Sequence, residues 1–288
     1  MDKTVSGWIN GLIGVVIFAG SLPATRAAVM DFDPLFLTCA RATIAGLLGW
    51  VLLRGFAGQR RPARADIPYL ILTALGVVLG FPLLTALALQ YVSSAHSIVF
   101  IGLLPLSTAL FGVIRAGEQP RPVFWLFAIA GSACVVTYAF TGGIEASLRG
   151  DLLMLAAIVV CGMGYAEGAR LSRKLGGWQV ICWALVLSLP VMLPATLLTW
   201  PASFSHVSVS AWVGLVYVSL FSMLIGFIFW YRGLAQGGIV AVGQLQLLQP
   251  FLGLGLAALL LHETVNWMML AATVGAVACV AGAKKFAA

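Results

Sequence analysis

A chain of 288 residues is long enough for one large soluble domain, yet 61% of it is apolar and only 9% is charged. A soluble domain carries about 25% charged residues, so this composition excludes a surface that faces water. The net charge of +7 then reads as loop charge on a membrane protein, not as a nucleic-acid footprint.

Apolar runs follow one another along the whole chain. A helix needs about 20 apolar residues to cross a bilayer. Breaks at charges, prolines and Gly-rich stretches divide the chain into ten such runs, about 7–29, 34–54, 67–91, 94–115, 122–141, 150–171, 177–200, 209–231, 238–261 and 265–283. The first run begins near Gly7, lacks an A-x-A cleavage site, and reads as a span and not as a signal peptide. The runs are too long, and alternate too little, for the roughly ten-residue strands of a membrane barrel. The expected fold class is an all-α integral membrane protein. The five cysteines lie inside these runs without metal-site or disulfide spacing, so they read as packing residues, and no cofactor or metal is expected.

Lys and Arg orient the spans. With the N-terminus inside, thirteen of them fall in cytoplasmic segments, and only Arg26 and Arg149 fall outside. Arg41 sits within a span. Both termini are therefore expected in the cytoplasm, in a bacterial inner membrane or its equivalent.

The middle and the end of the chain align without gaps at an offset of 145 residues. Leu89 falls on Leu234, Pro105 on Pro250, Glu118 on Glu263, and Ala133-Cys134-Val135 on Ala278-Cys279-Val280. Proline, cysteine and glutamate are scarce here, so their coincidence at one offset marks a repeat. The predicted halves are 1–145 and 146–288, five spans each. An odd span number inverts the second half, giving two inverted five-helix repeats. Inverted repeats with helices interrupted at mid-membrane are an architecture of secondary transporters, which bind between the halves.

With Ser93–Ala95, Pro105 and Glu118 matched by Gly238–Ala241, Pro250 and Glu263, and with Arg41 in span 2, nearly the whole chain resembles the ten-helix EamA-like branch of the drug/metabolite transporter superfamily. The resemblance implies a permease for small organic metabolites such as amino acids, often working outward. It defines the substrate poorly, and an importer of a metabolite or vitamin is the alternative.

Charged groups inside a bilayer are functional candidates by default. Arg41 lies about 12 Å into its span at 1.5 Å per residue. Its face runs Thr38, Arg41, Ala45, Gly49, small and polar, so it should look into the bundle. It reads as a fixed cation for a substrate carboxylate, with structural glue as the other reading. Glu167 precedes Arg170 by three residues, which suits an ion pair; the sharper reading is a proton-exchanging carboxylate near the inner mouth, with Tyr165 beside it. Gly164-x-x-x-Gly168 admits a close neighbouring helix. Gln244, Gln246 and Gln249 precede Pro250 near the midplane, and Gln246 and Gln249 are expected to line the substrate path. His96 titrates near neutral pH and is a further binding candidate, or else a solvated interfacial residue.

Pro105 and Pro250 should interrupt their helices, and Glu118 and Glu263 read as helix-end structural or gating residues. Ser21-Leu22-Pro23, Phe81-Pro82 and Pro190 are expected kinks. Trp230 and Tyr231 are expected as an aromatic belt at the cytoplasmic interface, with Trp200 and Trp267 outside.

An intramembrane enzyme is disfavoured, since neither G-x-S-G nor G-x-G-D occurs, and a channel is a further class to weigh. No Walker A sequence occurs, so ATP is not expected as a partner. The expected partners are the lipid bilayer and a small-molecule substrate, and the expected working unit is a monomer.

Overall fold

A computed structural model describes residues 3–56, 60–92, 94–141, 147–261 and 267–287. Every regular element among them is helical. That follows from the solvent, because apolar surroundings leave backbone groups no partner except one another.

The chain opens with α1 (Lys3–Ala19), α2 (Ser21–Val29) and α3 (Pro34–Gly55), then α4 (Ile67–Thr73), a π-helical stretch Ala74–Gly80, and α5 (Phe81–Ala88). It continues through α6 (Ser94–Ile101), α7 (Leu104–Ala116) and α8 (Pro122–Thr141). Next come α9 (Leu148–Leu175), α10 (Gly177–Leu198) and α11 (Val209–Tyr217), a second π-helical stretch Val218–Ile225, and α12 (Gly226–Gly237). The last part is α13 (Ile239–Gly243), a 3₁₀ stretch Gln244–Leu248, α14 (Gln249–Leu261) and α15 (Trp267–Phe286). Among the described residues six continuous segments are long and apolar enough to cross a membrane: Lys3–Val29, Pro34–Gly55, Arg64–Ala88, Leu148–Leu175, Gly177–Leu198 and Val209–Gly237. Leu104–Ala116, Pro122–Cys134 and Ile239–Gly253 are shorter apolar helices.

Local chemistry sets the ends. Asp33 caps α3 by accepting the N–H groups of Leu35 and Phe36, 2.8 and 3.1 Å away, and Pro34 supplies the preset first turn. Ser147 and Ser208 cap α9 and α11 in the same way. Gly117 and Gly238 take positive φ where α7 and α12 stop, a backbone that other residues adopt only with strain.

The expected kinks divide. Gly20 separates α1 from α2 just before Pro23, and the π-helical turn precedes Phe81-Pro82, but α10 runs unbroken through Pro190 and Pro194. Pro105 and Pro250 each occupy the second position of a new helix, where a missing N–H costs nothing.

Several elements recur at the 145-residue spacing. Leu104–Ala116 corresponds residue for residue to Gln249–Leu261, and Pro122–Thr141 to Trp267–Phe286. The two π-helical stretches correspond within one residue.

Packing relies on small residues. Methyl groups built on Gly233 and Gly7 would lie 2.6 Å from the Gly11 nitrogen and 2.5 Å from the Gly237 nitrogen, so α1 and α12 touch backbone to backbone. Gly164 meets Gly76 and Val77, while Gly168 receives the Tyr231 ring, so the two glycines of this pair serve different neighbours. Large apolar side chains such as Ile114, Leu126, Val191 and Leu197 point outward, as a lipid-facing surface requires.

Polar contacts gather at the two ends. At one end Lys174 pairs with Asp66 at 2.7 Å, Arg173 with Glu118, and the Arg121 N–H donates to the Phe286 carbonyl. At the other, Asp31 accepts the Ser208 N–H at 2.8 Å, which with the Ser208 hydroxyl holds its carboxyl below the usual carboxylate range. Segments assigned to one side of the membrane by Lys and Arg thus contact one another.

The close helix approach yields a prediction. Gly233→Ala forces apart the α1 and α12 backbones and should cost about 1–3 kcal/mol, the range for overpacking. Gly55→Ala, with nothing within 4 Å, is the control. Thermal melts in detergent should drop for the first variant and not for the second.

Candidate functional site

Arg41 and the residues around it come from six apolar segments. The 22-residue α3 places Arg41 on the same face as Thr38, Ala45 and Gly49, all buried. The Arg41 side chain is only 5% exposed. Its Nη2 donates to the Ser222 hydroxyl at 3.2 Å, and Ser21 donates to the same oxygen at 2.8 Å. Arg41 Nε has no partner, and no ion pair to Arg41 occurs among the described residues. A guanidinium keeps its charge, and a buried charge without a counter-charge is costly. An anion is what this position lacks.

Arg41 opens onto a cavity shared with Ser21, Ser222, Tyr165 and Gln249, walled by Phe18, Leu22, Val77, Phe81, Pro82 and Phe227. Its volume is about 20 Å³, room for about one water. The rings are packed against one another: Phe18 and Phe227 have centroids 5.0 Å apart, and Tyr165 lies 5.8 Å from Phe227. Two pairs of wall residues, Val77 with Ser222 and Pro82 with Phe227, stand 145 residues apart. Val77 and Ser222 both come from the π-helical stretches. Such stretches shift the side-chain register within a helix and recur at functional sites.

The candidate residues do not all converge. Arg41, Tyr165 and Gln249 line this cavity. Gln249 Nε2 donates to the Phe18 carbonyl at 3.4 Å. Gln246 instead turns to α7 and donates to Thr108 at 3.2 Å, because that helix offers the nearer acceptor. Gln244 is wholly buried and neither of its amide atoms has a partner. His96 falls on α6, but its side chain lies outside the described residues, as does all of Glu263.

Glu167 is fully buried in a triad. One carboxylate oxygen accepts from Arg115 on α7 and the other from Arg170 at 2.9 Å. This joins α7 to α9, and Glu167 is not among the residues that line the Arg41 cavity, although Tyr165, two residues before it on α9, is. Glu118 bridges more widely. Its two oxygens accept the N–H groups of Ile239 and Val240 at 2.9 and 2.7 Å, capping α13, and it also pairs with Arg173. Beside it lies a pocket of about 340 Å³ lined by Thr4, Trp8, Gln119, Gly238 and Lys284.

The expected cytoplasmic aromatic belt is corrected. Trp230 and Tyr231 are completely buried. Trp230 packs on Gly14 and lies 5.4 Å from the Tyr165 ring, and Tyr231 donates to the Gly164 carbonyl at 3.1 Å. The glycines opposite them leave space that an aromatic fills, so they are drawn inward. Trp200 and Trp267 are exposed. The sequence reading also passed over Ser222 and the walls Phe18, Phe81 and Phe227; a serine in the apolar run of span 8 was the available signal.

Removing one carboxylate tests the triad. Glu167→Gln leaves two cations facing each other and should cost about 2 kcal/mol, since both guanidiniums are more than a third exposed and partly screened. Lys174→Met, at a more exposed pair, should cost about 1 kcal/mol or less. Melting temperatures of the two variants should fall in that order.

Comparison with known proteins agrees with this architecture. The chain matches the EamA-like transporter family twice, over residues 5–139 and 148–283. It is 64% identical over 287 residues to "Uncharacterized transporter YdeK" of Bacillus subtilis (strain 168), covering 100% of both chains. It is 26% identical over 232 residues to "Probable terminal-alkyne amino-acid exporter" of Streptantibioticus cattleyicolor, covering 78% of this chain and 75% of the relative. A solved crystal structure shares the fold with a TM-score of 0.78 at 22% identity, covering 96% of this chain and 98% of that one. The family and these relatives are transporters and not enzymes. The chain belongs to the EamA-like transporter family.

Proposed function

We propose that the protein is a secondary transporter that exports amino acids or related small carboxylates across the inner membrane. It works as a monomer of ten spans in two inverted five-helix repeats, with both termini in the cytoplasm. The elements recurring at 145 residues support the repeat. The helix breaks before Pro105 and Pro250 fit the discontinuous helices of such transporters. The Lys and Arg bias supports the orientation. The name of the Streptantibioticus relative favours amino acids and export.

The observation that carries this reading is the buried Arg41 guanidinium, aimed into the central cavity without a carboxylate partner. A substrate carboxylate supplies the missing anion through a charge-assisted bond. The cavity holds only about one water at 20 Å³, so substrate enters when the two repeats move apart. Glu118 then acts as a cytoplasmic latch, because it ties the first repeat to the start of α13 in the second. Gln246 and His96 belong to the path, and Glu167 and Glu263 belong to coupling or gating.

Arg41→Lys should reduce transport about tenfold or more, since a point charge loses the planar fork. Decarboxylated analogues should be poor ligands of the parent. Counterflow in vesicles and thermal shift of purified protein read both effects. Normal folding of Arg41→Gln with unchanged affinity for the same carboxylate makes Arg41 structural.

Topology has its own test. Reporter fusions after Gly117, Leu175 and Gly237 should report cytoplasm, and fusions after Asp31 and Ser205 the opposite side. One reversal among the first three removes the ten-span reading.

A further inference from the structure

We infer that Gln249 is the specificity residue of the Arg41 cavity: its amide oxygen receives the ammonium group of a zwitterion whose carboxylate sits on Arg41. This rests on the carboxylate reading of the cavity and adds the second pole of the substrate.

Two residues that line this cavity each carry a buried polar atom without a partner among the described residues, Arg41 Nε and Gln249 Oε1. One is a cationic donor and the other a neutral acceptor. A carboxylate alone satisfies the first and leaves the second orphaned. A dicarboxylate is worse, because it sets a second anion against an amide oxygen. An α-amino acid satisfies both.

The orientation of the amide is not arbitrary. Gln249 Nε2 donates to the Phe18 carbonyl, and a carbonyl only accepts, so the amide nitrogen must face it. That leaves Oε1 as the free atom. Phe18 is itself a wall of the cavity. Rotating the amide to offer its nitrogen would place two acceptors face to face.

The rest of the lining sets the remainder of the ligand. Phe18, Phe81 and Phe227 present apolar surface, and no carboxylate lines the cavity among the described residues. Once the repeats move apart to admit substrate, that lining suits an apolar side chain, whereas a second charge on the substrate finds no partner. The polarity is also one-sided. At the 145-residue spacing Arg41 corresponds to Val186, Gln249 to Leu104, and Ser222 to Val77. Each polar member has an apolar counterpart, so the cavity offers one dipolar site and not two equivalent ones.

Thermal shift of the purified full chain tests this with three probe classes: apolar L-amino acids, their des-amino acids, and their decarboxylated amines. The parent should bind the amino acids, and both other classes at least about tenfold more weakly, as expected for loss of a hydrogen bond to a charged group. Gln249→Met should weaken the amino acids about tenfold and leave the des-amino acids unchanged, closing the gap between them. The proposal is overturned if the parent binds des-amino acids as tightly as amino acids, a comparison that needs no variant. It is equally overturned if the gap persists in a folded Gln249→Met. In either case loss of both classes in Arg41→Gln leaves the carboxylate reading standing. A parent that binds none of the three classes removes both readings.

Discussion

A buried guanidinium without a carboxylate is the constraint around which the bundle is arranged. Arg41 keeps its charge and is almost wholly withdrawn from solvent, so neighbouring helices must supply what stabilisation they can. The structure supplies one hydroxyl, Ser222, held in turn by Ser21. That is too little for a purely structural arginine, whose donors would be saturated by carbonyls or an acid. That shortfall is the observation on which the proposed binding role of Arg41 rests.

Bringing those groups together depends on backbone irregularity. Ser222 sits in a π-helical stretch, and Gln249 begins a helix after a 3₁₀ stretch. Regular α-helices would repeat their faces every 3.6 residues. The interruptions shift that register, so one chain can pack small residues on a neighbour and still aim a polar side chain at the centre. The close α1–α12 approach through Gly7, Gly11 and Gly233 brings Phe18 and Phe227 into edge contact across the cavity. Among the described residues the ion pairs of Glu118, Glu167 and Asp66 tie helices together at one end of the bundle.

Much of the site was legible in one dimension. A lone arginine in an apolar span announces itself, because the bilayer makes it costly. Arg41, Tyr165 and Gln249, all chosen from the sequence, face one cavity. Gln246 shared the same logic and yet turned to Thr108, since an amide in hydrocarbon takes whichever partner is nearest. Trp230 and Tyr231 misled for a related reason. Their position beside Arg232 fits an interfacial anchor, but the glycines of α1 and α9 that receive them are more than sixty residues away in sequence.

Composition and the period of apolar runs determined that this chain is a helical membrane protein, and the offset of Pro105 and Glu118 from Pro250 and Glu263 raised the expectation of a repeat. These are properties of local hydrophobicity and of counting, which need no knowledge of neighbours. The tertiary structure decided which polar atoms are left without partners. Arg41 and Gln249 stand more than two hundred residues apart in the chain, and only packing brings both to one cavity, each with a buried polar atom left without a partner. Hydrogen-bond satisfaction is a property of the folded neighbourhood, so which polar atoms are left without partners is absent from any window of the sequence.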